Sequence, residues 1–377
     1  MSIFYKFIAR GGYGFVVHPS INNDNIYSDI IDDKYNLNSV SKIFLSECNE
    51  EEDNKNNAKN EYDNHIKIDK IDPCYKYHLK VLEPKRYNFI KNEILNKINI
   101  KNLPEYYSNI LLDNKFNYIY YINYEFGGLT LFDLFINNEK KVIIYKKEMY
   151  IHICKEMYRL MEFIKLLLEN KYVHHDLKNN NILIDNNMCF KVIDFGMIEY
   201  IPNYIKNCEL GEIYPLFVYY PFEIEYYEKS NYNNYDEVYN KKNYIKYLNK
   251  LKNIYNRFFN NYYIKIYQKE YEDMIKNIKN KSYHEFMNTS IISFDIYTLG
   301  LTLVFLTEKY TINDISKKKR YYDDYSDCFS ENIYNDYIHF YKLKEIIIKM
   351  ITPNVFERIK IDDLLIEYKN YIDIISI

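Results

Sequence analysis

Short apolar runs separated by polar ones open the chain. Ile3–Ile8, Phe15–Val17 and Val40–Leu45 predict three strands, with the turn-rich stretch Asn22–Asn38 between the second and third. The period then changes. Glu50–Ile68 is charged, and Ala58, Glu61, Tyr62 and His65 fall at i, i+3, i+4 and i+7, the spacing of one helix face. Asn117–Phe126 is rich in Tyr and Ile and stops at Gly127-Gly128, which predicts a strand running into a turn. Over Lys146–Asn170 the apolar residues Ile153, Met157, Leu160, Met161, Ile164 and Leu168 mark the buried stripe of a long helix. Two short strands follow, Ile182–Ile184 and Phe190–Ile193, and the rest reads as mainly helical. Strands first and helices later predict an α+β protein, a sheet-rich small lobe followed by a helical large one. No internal repeat is visible.

Composition narrows the function classes. The chain has 377 residues, enough for one large two-lobed unit or two to three domains. Its 50 Lys+Arg against 53 Asp+Glu leave a net charge of −3, without the basic surplus of a nucleic-acid binder, so no nucleic-acid partner is expected. Only 8 Gly and 8 Pro exclude collagen-like or linker behaviour. The 46 Tyr and absence of Trp, with abundant Asn, Ile and Lys, read as a biased coding repertoire, not a tyrosine-specific function. Cys48, Cys74, Cys154, Cys189, Cys208 and Cys328 form no CxxC pair, which predicts reduced thiols and no zinc site. The N-terminal apolar run is too short for a signal peptide, and Ile291–Leu306 is interrupted by Asp295 and falls short of a bilayer span. A soluble, cytoplasmic protein is expected.

The sharpest chemistry lies in Val173-His174-His175-Asp176-Leu177-Lys178-Asn179-Asn180-Asn181, then Ile193-Asp194-Phe195-Gly196. A polar turn between a helix and a hairpin would explain either segment alone, but not both at this separation. Together they resemble the H-x-D-L-K-x-x-N catalytic loop and D-F-G metal motif of eukaryotic-type protein kinases, serine/threonine branch. The resemblance implies a bilobal kinase-like fold across residues 1–377, with a small antiparallel sheet lobe plus one helix over 1–125 and a larger helical lobe over 126–377. It implies ATP and Mg²⁺ as well, and the residue types suit that chemistry. Asp176 can accept a hydroxyl proton, Asn181 and Asp194 offer hard oxygen ligands for the metal, and Lys178 can reach the γ-phosphate as a point charge.

The same resemblance extends in both directions. Ala9-Arg10-Gly11-Gly12-Tyr13-Gly14-Phe15-Val16 is similar to the glycine-rich loop over ATP phosphates, with Ala9 in place of the first glycine. Lys42, in Val40-Ser41-Lys42-Ile43, matches the phosphate-binding lysine better than the turn-like Lys34. Glu61 is the expected glutamate partner, with Glu50, Glu51 and Glu52 as competitors if the helix starts earlier. Tyr124-Glu125-Phe126 matches the hinge whose backbone would hold adenine, and Val16, Val40 and Leu183 the apolar residues around the base. Pro221-Phe222-Glu223, Asp295 and Arg358 match the remaining large-lobe landmarks. They imply a buried Glu223–Arg358 pair and an Asp295 that ties down the catalytic-loop backbone.

Departures from the pattern also carry information. His175 stands where many members have a phosphate-binding arginine, and Met197–Tyr220 contains no Ser or Thr. Both imply activity independent of Ser/Thr phosphorylation in that segment. The usual threonine ahead of Pro221 is missing, with Leu216 near its place. A Tyr/Asn-rich insertion over about 224–290 reads as a tolerated excursion in preference to a docking surface. The compact chain and its composition are similar in style to kinases of large DNA viruses, which would place it in a host cytoplasm. The expected activity is Mg-dependent transfer of the ATP γ-phosphate to Ser/Thr hydroxyls of an unidentified protein. The alternatives are an ATP-binding pseudokinase scaffold and a small-molecule phosphotransferase of the aminoglycoside-kinase type.

Overall fold

Alternation along one strand sets the layout of the first of the two units into which the chain divides, 1–128 with 183–196 and 129–182 with 197–377. The computed structural model describes residues 6–11, 14–18, 20, 39–45, 51–82, 85–88, 105–112, 118–136, 147–212, 217, 219–235, 241–254, 261–321 and 330–376. In the first unit β1 (Lys6–Gly11), β2 (Gly14–His18), β3 (Ser39–Phe44), β4 (Lys85–Asn88) and β5 (Tyr118–Glu125) form one antiparallel sheet in the order β1-β2-β3-β5-β4. Side chains alternate across a strand, so Val40, Lys42 and Phe44 of β3 share a face with their partners Tyr124, Ile122 and Tyr120 of β5. Helix α1 (Glu51–Ile71) covers that face. Its buried residues Ala58, Glu61, His65 and Ile68 keep the helical spacing expected from the sequence. On the opposite face Phe15, Val17, Ile43 and Tyr121 are fully buried. Tyr107 of α2 (Glu105–Leu112) packs there, 5.2 Å from the Phe15 ring, and donates to the Gly14 carbonyl at 2.8 Å.

The first strand differs from its expected span. Its described part runs Lys6–Gly11, with residues 3–5 outside the described residues, so it continues past Ile8, and Ala9 and Gly11 belong to a ladder (Ala9↔Val16, Gly11↔Gly14) that β2 extends up to Gly14. Gly12 and the 22–38 stretch lie outside the described residues. Gly14 is required by packing: a Cβ there would meet the Ile43 carbonyl oxygen at 1.8 Å. Its missing side chain thus serves the β2–β3 contact.

The second unit is mainly helical. In chain order it holds β6 (Leu129–Thr130), α3 (Leu131–Ile136), α4 (Lys147–Glu169) and β7 (Tyr172–Val173). After the hairpin β8 (Ile182–Ile184) and β9 (Phe190–Val192), which falls largely in the first unit, come β10 (Glu199–Tyr200), paired antiparallel with β7, and α5 (Ile201–Glu209). Then follow α6 (Lys229–Asn233), α7 (Lys241–Ile254), α8 (Asn261–Ile278), α9 (Tyr283–Ile292), α10 (Phe294–Tyr321), α11 (Ser330–Ile351) and α12 (Ile361–Ile375). The stripe of α4 is buried as its periodicity predicts, except that Leu167 is more deeply buried than Leu168. Tyr283–Thr307 meets the length and apolarity of a membrane span, which is longer than the sequence pattern predicts. Of its most apolar 18 residues, 89% are nevertheless buried inside the protein.

The described residues of the 224–290 stretch contribute to the core of the second unit. Among its described residues Tyr226, Tyr227, Tyr232, Tyr244, Tyr267 and Tyr271 are buried. The Tyr244 and Tyr271 rings stack at 3.9 Å, and both pack on Phe222, next to Glu223. Tyr is apolar enough to fill a core when its hydroxyl finds a partner, as when Tyr226 and Tyr271 bond each other at 2.8 Å.

Candidate active site

Two constellations emerge, one in each unit. In the first, strand parity points Lys42 toward α1, and Lys42 Nζ donates to Glu61 Oε2 at 2.6 Å and to Asp194 Oδ1 at 3.0 Å. The Lys42 and Glu61 side chains are 9% and 2% exposed, whereas Asp194 is 25% exposed and keeps access to solvent species. Burial works against the charge on Lys42, but the Asp194 and Glu61 carboxylates outweigh it and hold the ammonium above its usual range. Glu50 lies outside the described residues, while Glu52 is exposed and pairs with Lys55.

The same helix face holds Asp194 in place. Asn64 Nδ2 donates to the Phe195 carbonyl at 2.9 Å, and the His65 ring meets the Phe195 ring edge-on at 4.7 Å. From the other side, β9 is anchored by the Val192 N–H donating to the Tyr77 carbonyl at 2.7 Å. Asp194 itself sits at φ 64°, a left-handed conformation costly for a non-glycine residue, and such strain gathers at functional sites.

The hinge and adenine candidates also fall in this unit. The Tyr124 hydroxyl turns inward and donates to Glu61 Oε1, so this side chain supports the ion pair. The Glu125 N–H already donates to the Lys80 carbonyl at 3.4 Å, and Phe126 is exposed beside His18. Val16 is half-buried opposite Lys42 in the ladder, and Val40 packs against the cluster of Phe44, Ala58, Val81, Tyr120, Ile122 and Tyr124. Leu183 is buried close to Gly127, where a Cβ would come within 2.5 Å of it.

The second constellation is the loop between β7 and β8. Asp295 at the start of α10 accepts the backbone N–H groups of His174 at 2.7 Å and His175 at 3.0 Å, fixing the loop as expected. Asp176 is buried and ringed by donors. Lys178 Nζ lies 2.7 and 2.9 Å from its two oxygens, and Asn181 Nδ2 donates at 2.7 Å. Asn181 Nδ2 also donates to the Asp176 backbone carbonyl at 2.9 Å. Both amide hydrogens are thereby committed, which leaves the Asn181 amide oxygen, a hard donor, as its remaining ligating atom.

Sequence reasoning missed a further partner of this carboxylate. The Tyr219 hydroxyl donates to Asp176 Oδ1 at 2.8 Å and accepts from Lys178 at 3.1 Å. Its only sequence signal was nearness to Pro221, lost against 46 tyrosines. Leu216 lies outside the described residues.

His175 has no access to phosphate. Its ring packs against Tyr204 at 4.4 Å and edge-on to Phe294 at 4.7 Å, and its backbone is held at φ 62°. Burial, reinforced by His174, pushes its pKa down to about 3. An unfolded His175 therefore binds a proton between pH 6.5 and about 3 that the folded one refuses, so stability falls as pH drops through this window. The contribution is up to about 1.4 kcal/mol per pH unit. Urea unfolding at pH 6.5 and pH 5 should show a shallower loss in His175→Asn, whose side chain tolerates the positive φ. An unchanged slope would contradict the assignment.

Arg358 and Glu223 form the expected buried pair, Nη1 to Oε1 at 2.6 Å, with side chains 0% and 1% exposed. Arg358 also donates to the Thr352 carbonyl from Nε and Nη2 and to the Ser293 hydroxyl.

Comparison with known proteins matches part of the chain to kinases. Residues 73–239 match the family described as protein tyrosine and serine/threonine kinase. That stretch contains Asp176, Lys178, Asn181, Asp194 and Tyr219, while Lys42 and Glu61 precede it. The chain is 31% identical over 119 residues to dual specificity protein kinase zak2 of Dictyostelium discoideum, covering 31% of this chain and 16% of that protein. It is 36% identical over 78 residues to serine/threonine-protein kinase PSK2 of Saccharomyces cerevisiae, covering 20% of this chain and 6% of that protein. A third relative, dual specificity protein kinase zakA of Dictyostelium discoideum, is 31% identical over 118 residues, 31% of this chain and 14% of that protein. The chain thus spans a small fraction of these relatives' lengths. Residues 73–239 are therefore similar to a protein kinase domain, with kinase relatives at modest identity, and the described chain has an α+β fold.

Proposed function

We propose that this chain is a protein kinase that transfers the γ-phosphate of ATP to Ser and Thr hydroxyls of protein substrates, with magnesium as the metal. The observation that carries the reading is the buried Lys42 ammonium held between Glu61 and Asp194. A lysine kept charged and fixed in this way serves to bind phosphate. Asp176 takes the proton of the acceptor hydroxyl, and Lys178 supplies positive charge beside it. Asp194, partly exposed, and the amide oxygen of Asn181 are the oxygen donors that fit Mg²⁺. When bound, the ion neutralises charge on the β- and γ-phosphoryl oxygens. Glu125 and Phe126 backbone groups, with Val16, Val40 and Leu183, are assigned to adenine, and Ala9, Gly11, Gly12 and Gly14 to the phosphates.

A pseudokinase scaffold would be expected to lack one of Lys42, Asp176, Asn181 or Asp194, and all four are present. The buried Glu223–Arg358 pair favours a protein kinase over a small-molecule phosphotransferase. The test is incubation with γ-labelled ATP, Mg²⁺ and a generic basic protein, followed by phosphoamino-acid analysis. Label in phosphoserine or phosphothreonine is expected. A thermal shift with ATP and Mg²⁺ that is lost in Asp194→Ala, without label in any protein, would leave only a binding module.

A further inference from the structure

The 224–290 stretch reaches back to the segment beside Asp176, and every residue of that contact lies in the second unit. Helix α7 carries it. The Tyr247 hydroxyl donates to the Tyr220 backbone carbonyl at 2.8 Å. A hydroxyl has one proton, so in the Tyr247–Tyr297 bond the Tyr297 hydroxyl donates to the Tyr247 oxygen. The Arg358 guanidinium stands 4.9 Å from the Tyr297 ring centroid, which joins this relay to the buried Glu223–Arg358 pair. The Tyr247 ring packs on Phe222 at 5.0 Å. Helix α7 is itself tied down. The Tyr244 hydroxyl donates to the Tyr267 carbonyl of α8 at 3.0 Å, and the Thr352 hydroxyl donates to Glu270 of α8 at 2.6 Å.

What Tyr247 holds is the backbone next to the candidate base. Tyr219 donates to Asp176 Oδ1 at 2.8 Å, and the exposed Phe217 ring stacks on Tyr219 at an interplanar angle of 10°. An acceptor hydroxyl has to come within hydrogen-bond reach of Asp176, so the peptide that bears it passes these residues. The Tyr220 side chain is buried, edge-on to Phe294 at 5.0 Å, with its hydroxyl donating to the Met197 sulfur. That contact fixes the ring, while Tyr247 fixes the carbonyl. A displacement of about 1 Å is enough to spoil the approach of a reacting group. We infer that Tyr247 is a positioning residue for the protein acceptor: its hydroxyl fixes the 219–222 backbone, so helix α7 governs how well protein substrate is held without acting on ATP. The inference rests on the phosphotransferase reading above and gives the 224–290 stretch a part in it.

The experiment compares the full chain with Tyr247→Phe and Tyr244→Phe. Both substitutions keep their rings, and a thermal melt checks that both variants fold. Tyr244→Phe loosens α7 from α8 but leaves the bond to Tyr220 in place, so it reports a merely structural role. Initial rates of label transfer are measured against a generic basic protein and against Mg²⁺-ATP, and amide hydrogen exchange is followed over 219–224. Tyr247→Phe should raise KM for the protein about 2- to 10-fold, the range of one lost hydrogen bond, with KM for ATP unchanged. Exchange over 219–224 should quicken in Tyr247→Phe alone. Tyr244→Phe should leave both KM values at the parent's. An unaltered protein KM in folded Tyr247→Phe would overturn the inference and leave the kinase reading standing. So would an equal rise in Tyr244→Phe, or a matching rise in KM for ATP. No label from the parent chain would instead sink the kinase reading, and this inference with it.

Discussion

Asp176→Asn should lower phosphate transfer to an added protein by about 10²- to 10⁴-fold, the range a positioned general base contributes. The substitution keeps the size of the side chain and removes the proton acceptor. It also strips Lys178 of the carboxylate it grips through two contacts of 2.7 and 2.9 Å. Because the backbone of this loop is held independently by Asp295, the fold should survive. A parallel thermal melt separates lost chemistry from lost structure. A folded variant whose rate stays within about tenfold of the parent would show that Asp176 is not the base.

Arg358→Met should cost about 3–5 kcal/mol of stability, since removing one member of a buried ion pair strands the other. Glu223 would be left 1% exposed with a weak 3.4 Å contact from the Ser290 hydroxyl, and the Thr352 carbonyl would lose two donors. Glu223→Leu should be comparably damaging. The double variant should recover part of the loss, because an apolar pair of similar volume avoids the desolvation of two charges. Urea unfolding of the parent, both single variants and the double variant gives the coupling energy directly. A single-variant loss below about 1 kcal/mol would mean that water reaches the pair.

Part of this site is legible in the sequence because two periodicities meet on one pair of residues. A strand period of two puts Lys42 on the face of Val40 and Phe44, and a helical period puts Glu61 with Ala58 and His65. Periodicity places each residue on a face, and the resemblance to protein kinases implies that the two pair, as the structure shows. Asp295 and Arg358 are legible for a different reason, the likeness of the segments around them to large-lobe segments of protein kinases. Other parts carry no such signal. Lys85–Asn88, a strand of sequence KRYN, has no apolar alternation, and its place comes only from pairing with β5. Tyr124 reads as a hinge backbone residue, yet its hydroxyl reaches Glu61, a contact set by the tertiary fold. The 224–290 tyrosines mislead because Tyr counts as half-polar in a pattern, and only packing against Phe222 reveals them as core.

The assignment of 183–196 to the first unit has a practical consequence for dissecting the protein. Peptide connections pass between the units at 128/129, 182/183 and 196/197. No single cleavage can release either body whole. A fragment ending at Gly128 would retain Lys42 and Glu61 but forfeit Asp194 and the β8–β9 hairpin, so half-molecule expression would isolate an ammonium without its second counter-charge.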